Sequence, residues 1–282
     1  MAASRRKFLI AAARAAAATA LAGCVPFAKM PTLSDLPNPA TFEPGDFVWP
    51  KLPGMIIPYE SRPDGLTDER IVWETQKREF IDSVRTNPAA SLEDREAAIQ
   101  LEDITFNAFK RRYLLDAAAD TVEPFSPDIL PVGHVGIVSF SGAGEPSITE
   151  AAPGWGIHMI SYREWLARRP GELVWHGRLA GVPRDQRALI AAEAIKYKGR
   201  PYRFFNFNLT DDSGFYCSKL AWLSAYRALG RAVDNDPNPR RRFWFSPKQL
   251  MKSPHVCLLY SPEPYARQAR ECTEIPSVPS SR

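Results

Sequence analysis

GFYCSKLAWL, residues 214–223, sets a cysteine at the head of an apolar, helix-compatible run that continues to Leu229 and stops at Gly230. A cysteine inside such a run is most often a small core residue. In the first turn its chemistry changes, because unpaired backbone N–H groups and the helix dipole favour the thiolate. Reading the helix from about Phe215, with Asp212 and Ser213 as candidate caps, places Cys217 in that first turn.

A thiol nucleophile needs a base, and the chain holds four histidines. His134 opens HVGIVSF, and SGAGEPS and ITEAA follow, two short apolar runs around a glycine-containing turn that read as a hairpin. A turn centred near Gly142 sets Glu150 across from His134 on the same face, within contact range. The acid would then orient the imidazole and stabilise its charged form when it takes the thiol proton. His158, His176 and His255 read as ordinary strand or loop positions, and with no paired ligands at metal spacing we expect no metal site and no cofactor.

These segments carry a resemblance. GRPYRFFNFNLTDDSGFYCSKLAWLSAY, with HVGIV and ITEAAPG ahead of it, resembles the permuted branch of the NlpC-type papain-like amidases, the YaeF/YiiX-like group, in which histidine and acid precede cysteine in the chain. The resemblance implies an α+β, circularly permuted papain-like (NlpC-type) fold, with an antiparallel sheet packed on the cysteine helix. By motif it assigns Cys217 as nucleophile, His134 as base and Glu150 as orienting residue. Tyr202 and Tyr216 are weaker carry-overs as oxyanion or pocket residues. Between GDFVW and HVGIV this chain inserts about 80 residues that the family joins more closely.

Around this centre the chain reads as one catalytic domain over 44–262. PGDFVWP is a short strand. Residues 65–118 are helical in pattern, with Ile71, Phe80, Ile81 and Val84 at helix-compatible spacing. Ser91 and Asp94 resemble a capping box ahead of Ile99, Ile104 and Phe109. This is the helical insertion, about 65–120, and Pro124, Pro127 and Pro131 mark a loop after it. Ser161 and Glu164 cap a short helix over YREWLARR, and LVWHGRL is a strand. Pro183 and Gly199 bracket an alanine-rich helix. WFSPKQLMKSPHVCLLY reads as a short helix and a strand, and 263–282 as a loose tail. Trp155, Trp222 and the phenylalanines from Phe204 to Phe207 suit either an apolar cleft or the core. PNPRRRFWF, residues 237–245, suits a solvated or anion-facing loop, with phospholipid headgroups as the lesser reading.

The first 23 residues read as a signal. Ser4 to Leu9, SRRKFL, resembles a twin-arginine export address, and Leu21, Ala22, Gly23 and Cys24 resemble a lipobox with Cys24 as the acylated residue. Four basic residues and no acid precede Cys24, which accounts for the whole formal net charge of +4. The rest is balanced, so we expect no nucleic-acid partner. Residues 24–43 are a proline-rich tether. The expected protein is a lipoprotein on the periplasmic face of the cell envelope, held to the membrane by lipid at Cys24. Val25, in place of aspartate, favours the outer membrane. In an oxidising compartment a Cys257–Cys272 disulfide and two separate thiols are both compatible with the sequence.

The expected activity is a cysteine hydrolase that cleaves amide bonds, with peptidoglycan stem peptides as the envelope's obvious amides. The alternatives are a lipid-directed acyltransferase or esterase of the same fold, acting on acyl lipids, and a non-catalytic envelope-binding lipoprotein.

Overall fold

The computed structural model describes residues 36–51, 69–106, 108–109, 132–234, 236–241 and 243–262. The expected signal segment, Cys24, Cys272, most of the tether, the loop prolines, the far end of the insertion and the tail lie outside them.

Six strands form one antiparallel sheet in the order β4-β3-β2-β1-β5-β6: β1 (Phe47–Lys51), β2 (Gly136–Phe140), β3 (Pro146–Ala152), β4 (Gly156–Ser161), β5 (Leu173–Leu179) and β6 (Val256–Tyr260). The apolar PGDFVWP segment becomes β1 between β2 and β5, with all five residues buried. It tolerates Pro50 because its pairing with β2 covers only Phe47 and Val48, so the missing N–H falls beyond that ladder.

Period-two alternation divides β1 between two cores. Phe47 and Trp49 join the large cluster under the helices, and Val48 faces the other side with Phe42, Val138, Ile148, Trp165 and Val174. Helices α1 (Glu69–Thr86), α2 (Leu92–Glu102), α4 (Arg184–Lys196) and α5 (Cys217–Leu229) contribute to the large cluster, and α3 (Tyr162–Ala167) covers the opposite face. Complete burial of a side chain such as Phe47 contributes about 1.5–3 kcal/mol, so both layers hold the sheet firmly. Helix α6 (Pro247–Lys252) is capped by Ser246 and Gln249, and its Pro247 carbonyl accepts the Trp49 indole N–H at 3.1 Å.

A buried charge cluster fastens the entry to β1. Asp46, with no exposed surface, accepts from Arg178 Nε at 2.7 Å, His176 Nε2 at 2.8 Å and the Glu43 N–H at 2.8 Å. Burial alone would raise its pKa, but Arg178 and His176 outweigh burial and hold it below the usual carboxylate value.

Most local readings agree with this structure, including the Ser91 and Ser161 caps and left-handed Gly230 after α5. Four differ. Ile71 and Ile99, expected on the inner helix faces, are 61% and 66% exposed. The stripe that packs inward runs through Trp73, Ile81 and Val84 on α1 and through Ala97, Ala98 and Leu101 on α2. Second, α5 starts at Cys217, not Phe215, and its N-cap is Tyr216 without a side-chain cap bond, so Asp212 and Ser213 are not caps. Third, β4 has no counterpart in the sequence reading. Finally, Arg241 is not solvated: it pairs with Asp234 and Asp236, each at 2.9 Å, with its guanidinium over Trp222.

Candidate active site

The helix start is decided by a contact across the preceding loop. Phe215 forms a parallel bridge with Tyr202, donating its N–H to Pro201 and accepting from Arg203 N–H. Residue 215 is therefore committed to extended backbone, and Cys217 becomes the first helical residue. The first four N–H groups of a helix lack intrahelical partners, and here no N-cap side chain takes them. Tyr216 and Ser218, on either side, both bind Phe245: the Tyr216 hydroxyl accepts its N–H at 3.2 Å and Ser218 donates to its carbonyl.

Cys217 is a thiol, 2% exposed, and its sulfur lies 4.0 Å from the Gly133 carbonyl. The next residue, His134, shares a side-chain hydrogen bond with Cys217. His134 Nε2 lies 2.7 Å from Glu150 Oε2, so the imidazole bridges thiol and carboxylate. Close packing holds this approach: a Cβ on Gly136, two residues on, would come within 2.4 Å of an Ile148 methyl. Burial works against charge on His134, yet Cys217 first and Glu150 next outweigh it and raise its pKa to about 9. The charged imidazolium is thus favoured beside the Cys217 sulfur.

The pair meets, but not in the expected register. Strand β2 pairs Ile137 with Thr149 and Val138 with Ile148, which centres the turn on Ala143 and continues to set Glu150 opposite Gly136. His134 therefore reaches Glu150 diagonally from the segment ahead of β2.

Glu150, 2% exposed, is held by more than the histidine. Its Oε2 also accepts from the Trp165 indole N–H at 2.7 Å and from Arg169 Nη2 at 2.9 Å, while Oε1 lies 3.3 Å from His158 Nε2. His158 sits directly across the β3–β4 ladder. Burial opposes ionisation, but Arg169 and then His134 overcome it and hold the carboxyl well below its usual value. Sequence reasoning missed Trp165 and Arg169 and treated His158 as an ordinary position. Alternating Ile157, Met159 and His158, Ile160 is a weak strand signal that could have found β4. Nothing local marks Trp165 or Arg169, because α3 reaches Glu150 from the far face of the sheet.

The weaker assignments part company. Tyr202 is 8% exposed, with its backbone beside Phe215 and its ring edge-on to Phe204. Tyr216, expected to line the pocket, has no exposed surface and anchors α5 to Phe245 instead. Trp222 and Phe204 are core residues, and Phe205 and Phe207 pack with Trp244. Trp155 alone of the suggested cleft aromatics is open, at 47%, with the Arg168 guanidinium 4.5 Å from its ring and His158 on its flank. Among the described residues no group of three or more His, Cys, Asp or Glu is arranged to hold a metal ion, and no helix is long and apolar enough to cross a membrane.

Comparison with known proteins bears on the family of the chain. The family model described as permuted papain-like amidase enzyme, YaeF/YiiX, C92 family, matches residues 114–260. None of the curated proteins compared with the chain matches it. A crystal structure described as the metalloprotein yiiX from Escherichia coli O157:H7 is similar at 20% identity and a TM-score of 0.38, covering 46% of this chain and 83% of that one. The family match takes in β2 through β6 and every residue of the thiol, imidazole and carboxylate site, over just more than half of the chain, which therefore belongs to the permuted papain-like amidase family C92.

Proposed function

We propose that this cysteine hydrolase of the amidase and peptidase type cleaves amide bonds in the cell envelope, in peptidoglycan stem peptides, through Cys217, His134 and Glu150. The observation that carries the reading is the bridging imidazole: Nε2 is taken by Glu150 at 2.7 Å, which leaves Nδ1 for the sulfur at the head of α5.

In the proposed reaction the Cys217 thiolate attacks the amide carbonyl carbon. The developing oxyanion is met by the backbone N–H groups at the uncapped start of α5. The C–N bond breaks as the amine leaves with the proton held by His134, and a thioester remains. Water, deprotonated by His134, attacks the thioester, and the carboxylic acid departs as Cys217 regains its place beside the imidazolium. Glu150 keeps Nε2 protonated and the ring oriented. Tyr202 is retained as a pocket residue because its segment runs beside Phe215. Cys217 is recessed, whereas 19% of the His134 side chain is open, so substrate approaches along the imidazole.

The envelope setting rests on the twin-arginine-like segment and lipobox, which make the protein a lipoprotein anchored at Cys24 in the outer membrane. Cys257 is disulfide-bonded, which suits an oxidising compartment, and its partner lies outside the described residues.

The test is incubation of the protein, Cys217→Ser and His134→Ala with purified muropeptides and with phospholipids, followed by mass analysis. The parent should shorten the stem peptide, and each variant should lose at least about a thousandfold in rate while keeping the parent's circular dichroism spectrum at the assay temperature. Release of fatty acid alone would move the substrate to acyl lipids. Variants that keep envelope function in cells would make the protein a binding module.

A further inference from the structure

We propose that Arg169 and Trp165 are positioning residues that lock Glu150 as a fixed, acceptor-only carboxylate, so that the catalytic proton stays on His134. The inference rests on the Cys217 and His134 reading above and adds two residues to that site.

The geometry is a clamp. Oε2 of Glu150 receives three donors: His134 Nε2 at 2.7 Å, Trp165 Nε1 at 2.7 Å and Arg169 Nη2 at 2.9 Å. The Arg169 guanidinium lies 4.4 Å from the Trp165 ring, so the two donors brace each other, and both residues are buried. Charged and titratable groups face Glu150 from every side: His134 ahead of β2, His158 on β4 and Arg169 after α3. Glu172 stands behind Arg169 at 3.8 Å, and Cys217 behind His134.

A buried carboxylate without this clamp has two ways to relieve its desolvation, and both spoil the site. It can take a proton from solution, which removes the charge that supports the imidazolium. It can also take the His134 proton, which leaves the thiolate without a counter-charge. A guanidinium cannot give up its proton at working pH and an indole N–H can only donate, so together they hold both oxygens as acceptors. One carboxylate oxygen then presents a constant lone pair to Nε2–H at every pH the enzyme meets.

The experiment follows alkylation of Cys217 by iodoacetamide across about pH 3–10, which reads thiolate content without knowledge of the substrate. In the parent the reaction should persist well below the usual thiol range. Arg169→Met keeps a stem against Trp165 and removes the charge. Its acid limb should move up by about one pH unit or more, since a cation beside a carboxylate lowers its pKa by about one to three units. Arg169→Lys should restore most of the shift, and Trp165→Phe should show a smaller one. A purely structural role would lower the rate without moving the limb. Profiles of Arg169→Met and Trp165→Phe that superimpose on the parent's overturn the clamp alone. Trp165→Phe, which keeps the ring and deletes one N–H, decides the matter if Arg169→Met does not fold. An ordinary thiol titration in the parent itself overturns the Cys217 and His134 pairing, and the clamp with it.

Discussion

Replacing Glu150 by glutamine keeps the shape of the side chain and removes one charge from a nearly closed site. Glu150 is 3% and Arg169 5% exposed at the side chain, so water does little to screen their pairing. In Glu150→Gln the amide oxygen can occupy the place of Oε2 and accept from His134, Trp165 and Arg169. The amide nitrogen then faces His158 and the second approach of Arg169 Nη2, at 3.2 Å in the parent. His158 can adapt, because its Nδ1 already has the Gly156 carbonyl at 3.2 Å and its Nε2 can become the acceptor. Arg169 cannot adapt, and among the described residues Glu172 at 3.8 Å is the counter-charge left to it. Removing one partner of a buried ion pair costs about 3–5 kcal/mol. At about 2–4 °C per kcal/mol for a domain of this size, the melting temperature should fall by about 6–20 °C. The assay is thermal unfolding followed by circular dichroism at neutral pH. Glu150→Gln/Arg169→Met should melt higher than Glu150→Gln alone, because the second change removes the stranded charge. The sign with pH also follows. The folded carboxyl lies well below its ordinary value, so its contribution is complete above the unfolded pKa and disappears as pH falls through the folded one. The gap between parent and variant should therefore narrow on acidification. A melting temperature within about 2 °C of the parent's, or a double variant with additive losses, would refute the reasoning.

Two further outcomes are expected. The His134 pKa, raised to about 9, depends first among its favourable causes on Cys217, so Cys217→Ser should lower it in an NMR titration of the ring. Because that pKa lies above the unfolded value, the associated stability is full below about pH 6.5 and is lost as pH rises through about 9; an unchanged ring titration would show that the sulfur does not support the imidazolium. Gln76 on α1 donates to the Tyr202 carbonyl at 2.9 Å and accepts from the Phe204 N–H at 2.8 Å. Gln76→Leu removes both of these bonds and should cost about 2 kcal/mol in urea unfolding, with slower alkylation of Cys217 as the Tyr202 and Phe215 bridge loosens; a parent-like midpoint would detach the insertion from the site.

Local signals marked the elements, and long-range contacts decided how they meet. Ser91, Ser161 and Gly230 could be read directly because a cap or a left-handed residue acts within a few positions of itself. The hairpin around Glu150 was legible for the same reason. Its register was not, since a turn centred on Ala143 shifts the pairing by two residues from one on Gly142 and keeps every side chain on the same face, and the pairing energy that chooses between them is spread over the whole ladder. Cysteine, histidine and acid could be named by motif and order, yet the start of α5 depended on Phe215 bridging to Tyr202. Trp165, Arg169 and His158 were invisible as site residues because β4 and α3 approach Glu150 only after the sheet has formed. The sequence by itself determined which chemical groups are present and where helices and strands begin to be favourable. Tertiary packing alone decided which buried charges face one another, because the cost of leaving a carboxylate or guanidinium unmatched arises only once water has been excluded.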